Sequence, residues 1–132
     1  MSISRTILVL QAVRELVRYD LTMRLGGFKA VYAGLSRYPA TGGDGPLERA
    51  EKRICEAVDL AAALYWKRVR CLQRAVAATR LLRRNGIRAE LVIGYRSAPF
   101  FGHAWIEVGG RVVNDSRVFK KRLNALERIA SA

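Results

Sequence analysis

Two cysteines and one histidine are the natural candidates for nucleophilic chemistry in this 132-residue chain. Cys71 follows the basic run Lys67-Arg-Val-Arg70 and opens a stretch in which Leu72, Ala75, Val76, Thr79 and Leu82 keep helical spacing. A thiol at a helix N-terminus, with Arg68 and Arg70 just ahead of it, sits in positive potential. The helix dipole and the guanidiniums both favour a thiolate, the nucleophilic form. Cys55 lies inside the preceding helical run, beside Ile54 and one turn from Val58, where a cysteine serves as small apolar filler. His103 heads the segment His103-Ala-Trp-Ile-Glu107, which reads as a strand entered from a glycine-bearing loop. An imidazole placed there can take the thiol's proton and return it to a leaving amine, which is acyl-transfer chemistry. Taken singly, a lone cysteine or histidine is as readily structural; the pairing gives the chemical reading.

A third group must hold the imidazole in one tautomer and orientation, and Asn114 and Asp115 are the candidates. Both follow a hairpin at Gly109-Gly110. A two-residue loop pairs Val108 with Arg111 and Trp105 with Asn114, putting Asn114 on the His103 face. A three-residue loop, Gly109–Arg111, aligns Asp115 instead, with Gly110 supplying the left-handed position. Trp105 and Glu107 share that face. Trp105 is expected to pack the core or wall a cleft, and Glu107 to be a solvated strand-end carboxylate before a supporting group. The backbone N–H of Cys71 is a natural oxyanion donor, with a second expected somewhere in Tyr65–Arg70.

The elements that must position these groups are legible from periodicity. Ile3, Ile7, Leu10, Val13, Val17 and Leu21 recur at three- and four-residue steps, which predicts an amphipathic helix to about Leu25, ended by Gly26-Gly27. A further short helix is expected over Phe28–Tyr38. Pro39–Pro46 is a Gly- and Pro-dense loop. Leu47, Ala50, Ile54, Ala57, Val58, Ala61 and Leu64 then form one face of a helix running to about Tyr65-Trp66. The Cys71 helix stops at Asn85-Gly86. Beyond it the period changes to two: Ile87, Ala89, Leu91, Ile93 and Tyr95 mark a strand, His103–Val108 a second and Arg111–Asp115 a third. The tail from Phe119 reads as a short basic helix. This predicts one α+β domain over 1–132. Residues 1–64 form a helical part, 65–118 a catalytic core with the cysteine helix on a small antiparallel sheet, and 119–132 a C-terminal tail.

Bulk properties restrict the partners. The formal charge is +13, so the chain should attract something acidic. The basic residues are dispersed and carry no interleaved aromatic signature or zinc-finger spacing, which disfavours nucleic acid as the partner. The apolar cluster Ile7–Leu10 is too short for a signal peptide or a membrane span, so a cytoplasmic location is expected. Two cysteines suit a reducing compartment and a free thiol. No His/Cys cluster suggests a metal, and no cofactor is expected.

Several motifs together resemble one family. They are Cys71-Leu-Gln-Arg-Ala-Val76, Leu81-Leu-Arg-Arg-Asn-Gly-Ile87, Leu91-Val-Ile-Gly94, Pro99-Phe100, His103-Ala-Trp105 and Val113-Asn-Asp115. Over about Tyr65 to Ser116 the chain resembles the bacterial lasso-peptide leader peptidases, transglutaminase-like cysteine proteases with a papain/transglutaminase-like core. The resemblance implies a Cys71–His103–Asp115 triad, and with it the three-residue hairpin loop. It also implies removal of the leader from a ribosomally made precursor, before an ATP-dependent macrolactam synthetase closes the ring. Fused members carry a separate leader-recognition domain for which 132 residues leave no room. A split form, working with a small stand-alone leader-recognition protein, is therefore the expectation. Two other readings use the same residues differently: an acyl transferase in which an amine resolves the thioester, and a basic binding module without catalysis.

Overall fold

A computed structural model describes residues 4–39, 47–97, 100–113 and 124–129. Three helices precede an antiparallel sheet: α1 (Arg5–Arg37), α2 (Leu47–Leu64), α3 (Cys71–Arg84), β1 (Ala89–Ser97), β2 (Phe100–Val108), β3 (Arg111–Val112) and β4 (Asn124–Ile129). The sheet order is β3-β2-β1-β4. The helices lie on one face of it, the α+β arrangement with a central cysteine-bearing helix that the sequence predicts.

Helix α1 is capped by Ser4, whose Oγ accepts from the Ile7 N–H at 3.3 Å. It breaks at Gly27, where φ is 69° and ψ −169°, a conformation that a side chain would strain. The stop expected at Gly26-Gly27 and the helix beyond it are thus two arms of α1. Its buried stripe, however, is Leu8, Ala12, Glu15 and Leu16, followed by Val31 and Leu35. The stronger apolar stripe through Ile7, Leu10, Val17 and Leu21 faces outward.

Small residues let the helices approach closely. Ala12 of α1, Ala57 and Ala61 of α2, and Ala75, Ala77 and Ala78 of α3 are all buried in one cluster. That cluster continues into the sheet through Ala89, Leu91, Ala104, Ile106 and Ile129. Alternation along β2 therefore turns Ala104 and Ile106 toward the helices. His103, Trp105 and Glu107 share the opposite side of the strand.

Arg83, fully buried in the last turn of α3, holds the corners of the fold. Its guanidinium donates to the carbonyls of Ala89 at 2.9 Å, Tyr38 at 3.1 Å, Ile129 at 2.8 Å and Leu35. One side chain thus ties the end of α1 to the start of β1 and the end of β4.

Two expectations need correction. The tail read as a basic helix forms strand β4, paired with β1 from Leu91↔Ile129 to Tyr95↔Asn124. The unsatisfied outer edge of β1 overrides a local helical pattern. The strands also meet in a tighter hairpin than predicted. β1 runs to Ser97 and β2 begins at Phe100, so His103 lies inside β2 rather than at its entrance.

Candidate active site

Cys71 is the first helical residue of α3. Arg70 occupies the N-cap in an extended conformation (φ −88°, ψ 169°) and supplies no side-chain cap. The helix begins its ladder with Arg74 N–H to Arg70 C=O at 3.0 Å. The N–H groups of Cys71, Leu72 and Gln73 precede that bond, at the end of the helix where donors have no intrahelical acceptor. Cys71 is half-buried against the core, whereas Cys55 is buried in α2. Burial pushes the Cys55 thiol up to about 12, with Asp59 and Glu51 adding to the effect. The filler reading of Cys55 fits this placement.

The start of α3 is anchored to α1. Gln73 is 4% exposed and donates from Nε2 to the Leu16 carbonyl at 3.0 Å. Asp20 of α1 receives the Tyr65 hydroxyl at 2.6 Å and the Lys67 ammonium at 2.7 Å. Burial alone would raise the Asp20 carboxyl. Hydrogen bonds from Lys67, Tyr65 and Gln73 outweigh it and hold the group below the usual carboxylate range. The phenol of Tyr19 is pushed up by burial, with Asp20 and then Cys71 adding to the effect. Tyr19 and Asp20 went unremarked in the sequence, and Gln73 entered only as part of the motif Cys71–Val76. Tyr19-Asp20 carries no distinguishing signal in a helix that also holds Arg14, Glu15 and Arg18.

His103 sits on β2 opposite Gly94 of β1, with Gly102 beside it. The pairing of β1 with β4 slips at Ile93/Gly94, a bulge adjoining the histidine position. The imidazole stacks on the Trp105 ring, with centroids 6.5 Å apart and planes 22° apart. Trp105, 1% exposed, packs with Val92 and Val112 in a second small cluster. Its Nε1–H donates to Glu107 Oε2 at 2.9 Å. Glu107 Oε1 in turn accepts from Arg128 of β4 at 3.2 Å, and Arg128 also reaches Glu90. Glu107 is therefore not the solvated strand-end carboxylate that was expected. It is 2% exposed, and a buried carboxylate persists because indole and guanidinium satisfy it.

The hairpin register is resolved. Val108 pairs with Arg111 and Glu107 with Val112, and the Val113 N–H to Ile106 C=O bond, at 3.0 Å, continues the same register. The loop is the two residues Gly109 and Gly110, both at positive φ (59° and 80°), as a type I′ turn requires. The three-residue loop implied by the resemblance is thus not formed, because two successive glycines meet the tighter turn's demand. Asn114 and Asp115 themselves lie outside the described residues.

The structure thus gathers His103, Trp105 and Glu107 on one side of β2. It places Cys71 at the start of the helix that packs on the other side of β2 and β1. Among the described residues no three His, Cys, Asp or Glu side chains are grouped to hold a metal ion. None of the described helices is long and apolar enough to cross a membrane.

The microcin J25-processing protein McjB of Escherichia coli is 42% identical over 59 residues, covering 45% of this chain and 28% of that protein. The chain therefore spans well under two thirds of that relative. No solved structure matches. The family model for the transglutaminase-like superfamily matches residues 15–129. That span runs from α1 through the Cys71 helix and the His103 strand to the end of β4, and the chain belongs to the transglutaminase-like superfamily.

Proposed function

We propose that this protein is a cysteine peptidase that removes the leader from a lasso-peptide precursor, with Cys71 as nucleophile and His103 as base. The observation that carries the reading is the contrast between the two thiols. One is buried in α2; the other stands at an uncapped helix N-terminus within a transglutaminase-like chain. The likeness to a protein named for processing microcin J25 supports a peptide precursor as substrate.

In this mechanism His103 takes the Cys71 proton and the thiolate attacks the carbonyl at the leader–core junction. The N–H groups opening α3 hold the oxyanion, and the imidazolium protonates the departing core amine. Water, deprotonated by His103, then hydrolyses the thioester and frees the leader's carboxylate. Gly94 and Gly102 leave the imidazole bordered by backbone at those positions; meeting the thiol, whose helix packs on the other side of β2, requires His103 to leave its stacked position on Trp105. Trp105 and Glu107 set its resting orientation.

Two groups compete for the role of orienting His103. The family resemblance names Asp115, whereas the observed two-residue loop is the register that aligned Asn114 with His103. Comparing Asp115→Asn with Asn114→Ala separates them. The true partner's loss lowers kcat by about 10⁴-fold, as a lost triad carboxylate does elsewhere, while the other stays near wild type.

The whole reading is tested by incubating the protein with a lasso precursor and a leader-recognition protein, following products by mass spectrometry. Wild type and Cys55→Ala release the leader, and Cys71→Ala does not. Cleavage by Cys71→Ala rules the mechanism out. A product joined to an added amine, in place of a free carboxylate, would reassign the enzyme as an acyl transferase. We further propose that the chain acts as one domain in the cytoplasm, ahead of a macrolactam synthetase.

A further inference from the structure

The most pronounced apolar pattern in the sequence faces away from the core. Ile7 is 49% exposed, Leu10 64%, Val17 39% and Leu21 55%. Isolated exposed apolar residues are ordinary, but these four form one continuous stripe. Their spacing is that of a heptad seam: Ile7, Arg14 and Leu21 take the a positions, and Leu10, Val17 and Arg24 the d positions. A seam of this kind is complementary to another helix.

Its charge selects the helix. The two arms of α1 contain only two acidic residues, Glu15 and Asp20. Glu15 is buried, with its carboxylate 3.0 Å from Arg80 Nε, and Asp20 is held by Tyr65 and Lys67. The seam itself therefore presents apolar groups and two guanidiniums, and Asp20, which lines the groove beside it, is already answered by Lys67. A second copy of this chain would oppose arginine with arginine and is disfavoured. The seam is also walled. Trp66, 79% exposed, and Lys67 rise beside Val17, Leu21 and Arg24 to form a groove of about 570 Å³. A groove suits a helix better than a flat bilayer surface does, and its apolar floor suits a helix better than a nucleic acid.

We propose that the outer face of α1, with Trp66, is a docking site for an amphipathic α-helix of an acidic protein partner, its carboxylates meeting Arg14 and Arg24. The inference rests on the exposed seam and stands apart from the peptidase reading. The groove shares the Tyr65–Lys67 segment with the anchorage of α3, so a docked helix would also brace the approach to Cys71.

The test uses a synthetic helix of about three heptads, with Leu at a and d and Glu placed to meet the arginines. Binding to the full chain is followed by tryptophan emission, which reports Trp66 because Trp105 is already buried. Wild type and Cys71→Ala bind alike, with blue-shifted emission. Leu21→Asp weakens binding at least tenfold. The double variant Arg14→Glu, Arg24→Glu loses the acidic helix and gains a Lys-bearing version of it. This charge swap shows that the variants are folded and that the site is specific. The proposal is overturned by equal binding of a scrambled peptide of the same composition or by insensitivity to Leu21→Asp. Preference for phosphatidylglycerol vesicles or duplex DNA, or dimerisation through α1, also overturns it. Because Cys71→Ala is expected to bind, failure of cleavage and failure of docking are read separately.

Discussion

The middle of α2 and the start of α3 each hold one cysteine, sixteen positions apart, and the fold treats them oppositely. Cys55 is surrounded by the alanine-rich helix contacts, and burial together with Asp59 and Glu51 makes its thiolate costly. Cys71 stands where a helix begins, half-buried, beside unpaired backbone donors and basic residues. The same side chain is filler in one place and a candidate reagent in the other. The difference lies in which face and which end of a helix each occupies: Cys55 is desolvated inside α2, while Cys71 stands among the backbone N–H groups that open α3.

The sharpest way to break this comparison is catalytic. Cys71→Ala is expected to lower turnover by about 10³-fold or more, while Cys55→Ala stays within about twofold; rates of precursor cleavage decide. Near-equal losses would show that the cysteines act through structure alone. Next in size is alkylation by iodoacetamide at neutral pH, read by peptide mapping. Cys71 should be modified at least about 100-fold faster, because Cys55 is both buried and held as a thiol. Modification of Cys55 in the native protein at a comparable rate would contradict its burial.

A third experiment tests what holds the two ends of α3. Arg83→Met leaves three buried carbonyls and one part-buried carbonyl short of a donor and is expected to cost about 3–5 kcal/mol by denaturant unfolding. Gln73→Ala, beside Cys71, removes the bonds to Leu16 and Asp20 and should cost about 1–3 kcal/mol. A larger effect from Gln73 than from Arg83 would mean that the α3 start, not its end, is the structural anchor.

The last test is a pH dependence, confined to alkaline solution. The Cys55 pKa is raised on folding, from 9.0 to about 12, so the folded state binds the extra proton between those values. The stability it confers is complete below pH 9 and is lost as pH rises toward 12. Unfolding free energy should therefore fall more steeply with pH over that window in wild type than in Cys55→Ala. Equal slopes would refute the shift.

Much of the candidate site could be read beforehand where local rules suffice. The start of α3 at Cys71 and its stop at Asn85-Gly86 follow from helix periodicity and a left-handed glycine, with Gly86 at φ 85°. Other positions escaped because their environment is assembled by distant segments. Glu107 looks like any strand-end carboxylate until Trp105 and Arg128 enclose it. Tyr19 and Asp20 meet the Cys71 region only because α1 crosses the start of α3.

By itself the sequence determined the helices, the change of period into the sheet, the break near Gly27 and the position of the Gly109-Gly110 turn. Each of these depends on neighbours in the chain, through backbone conformation or the spacing of apolar residues. Tertiary structure decided which stripe of α1 is buried, because the core selects the face with the small residue Ala12 and leaves the bulkier seam outside. It made residues 124–129 a strand, because the free edge of β1 offers hydrogen bonds that a lone short helix cannot match. It also chose the two-residue hairpin, since the register must keep Ile106 and Val113 toward the helices and Val112 beside Trp105.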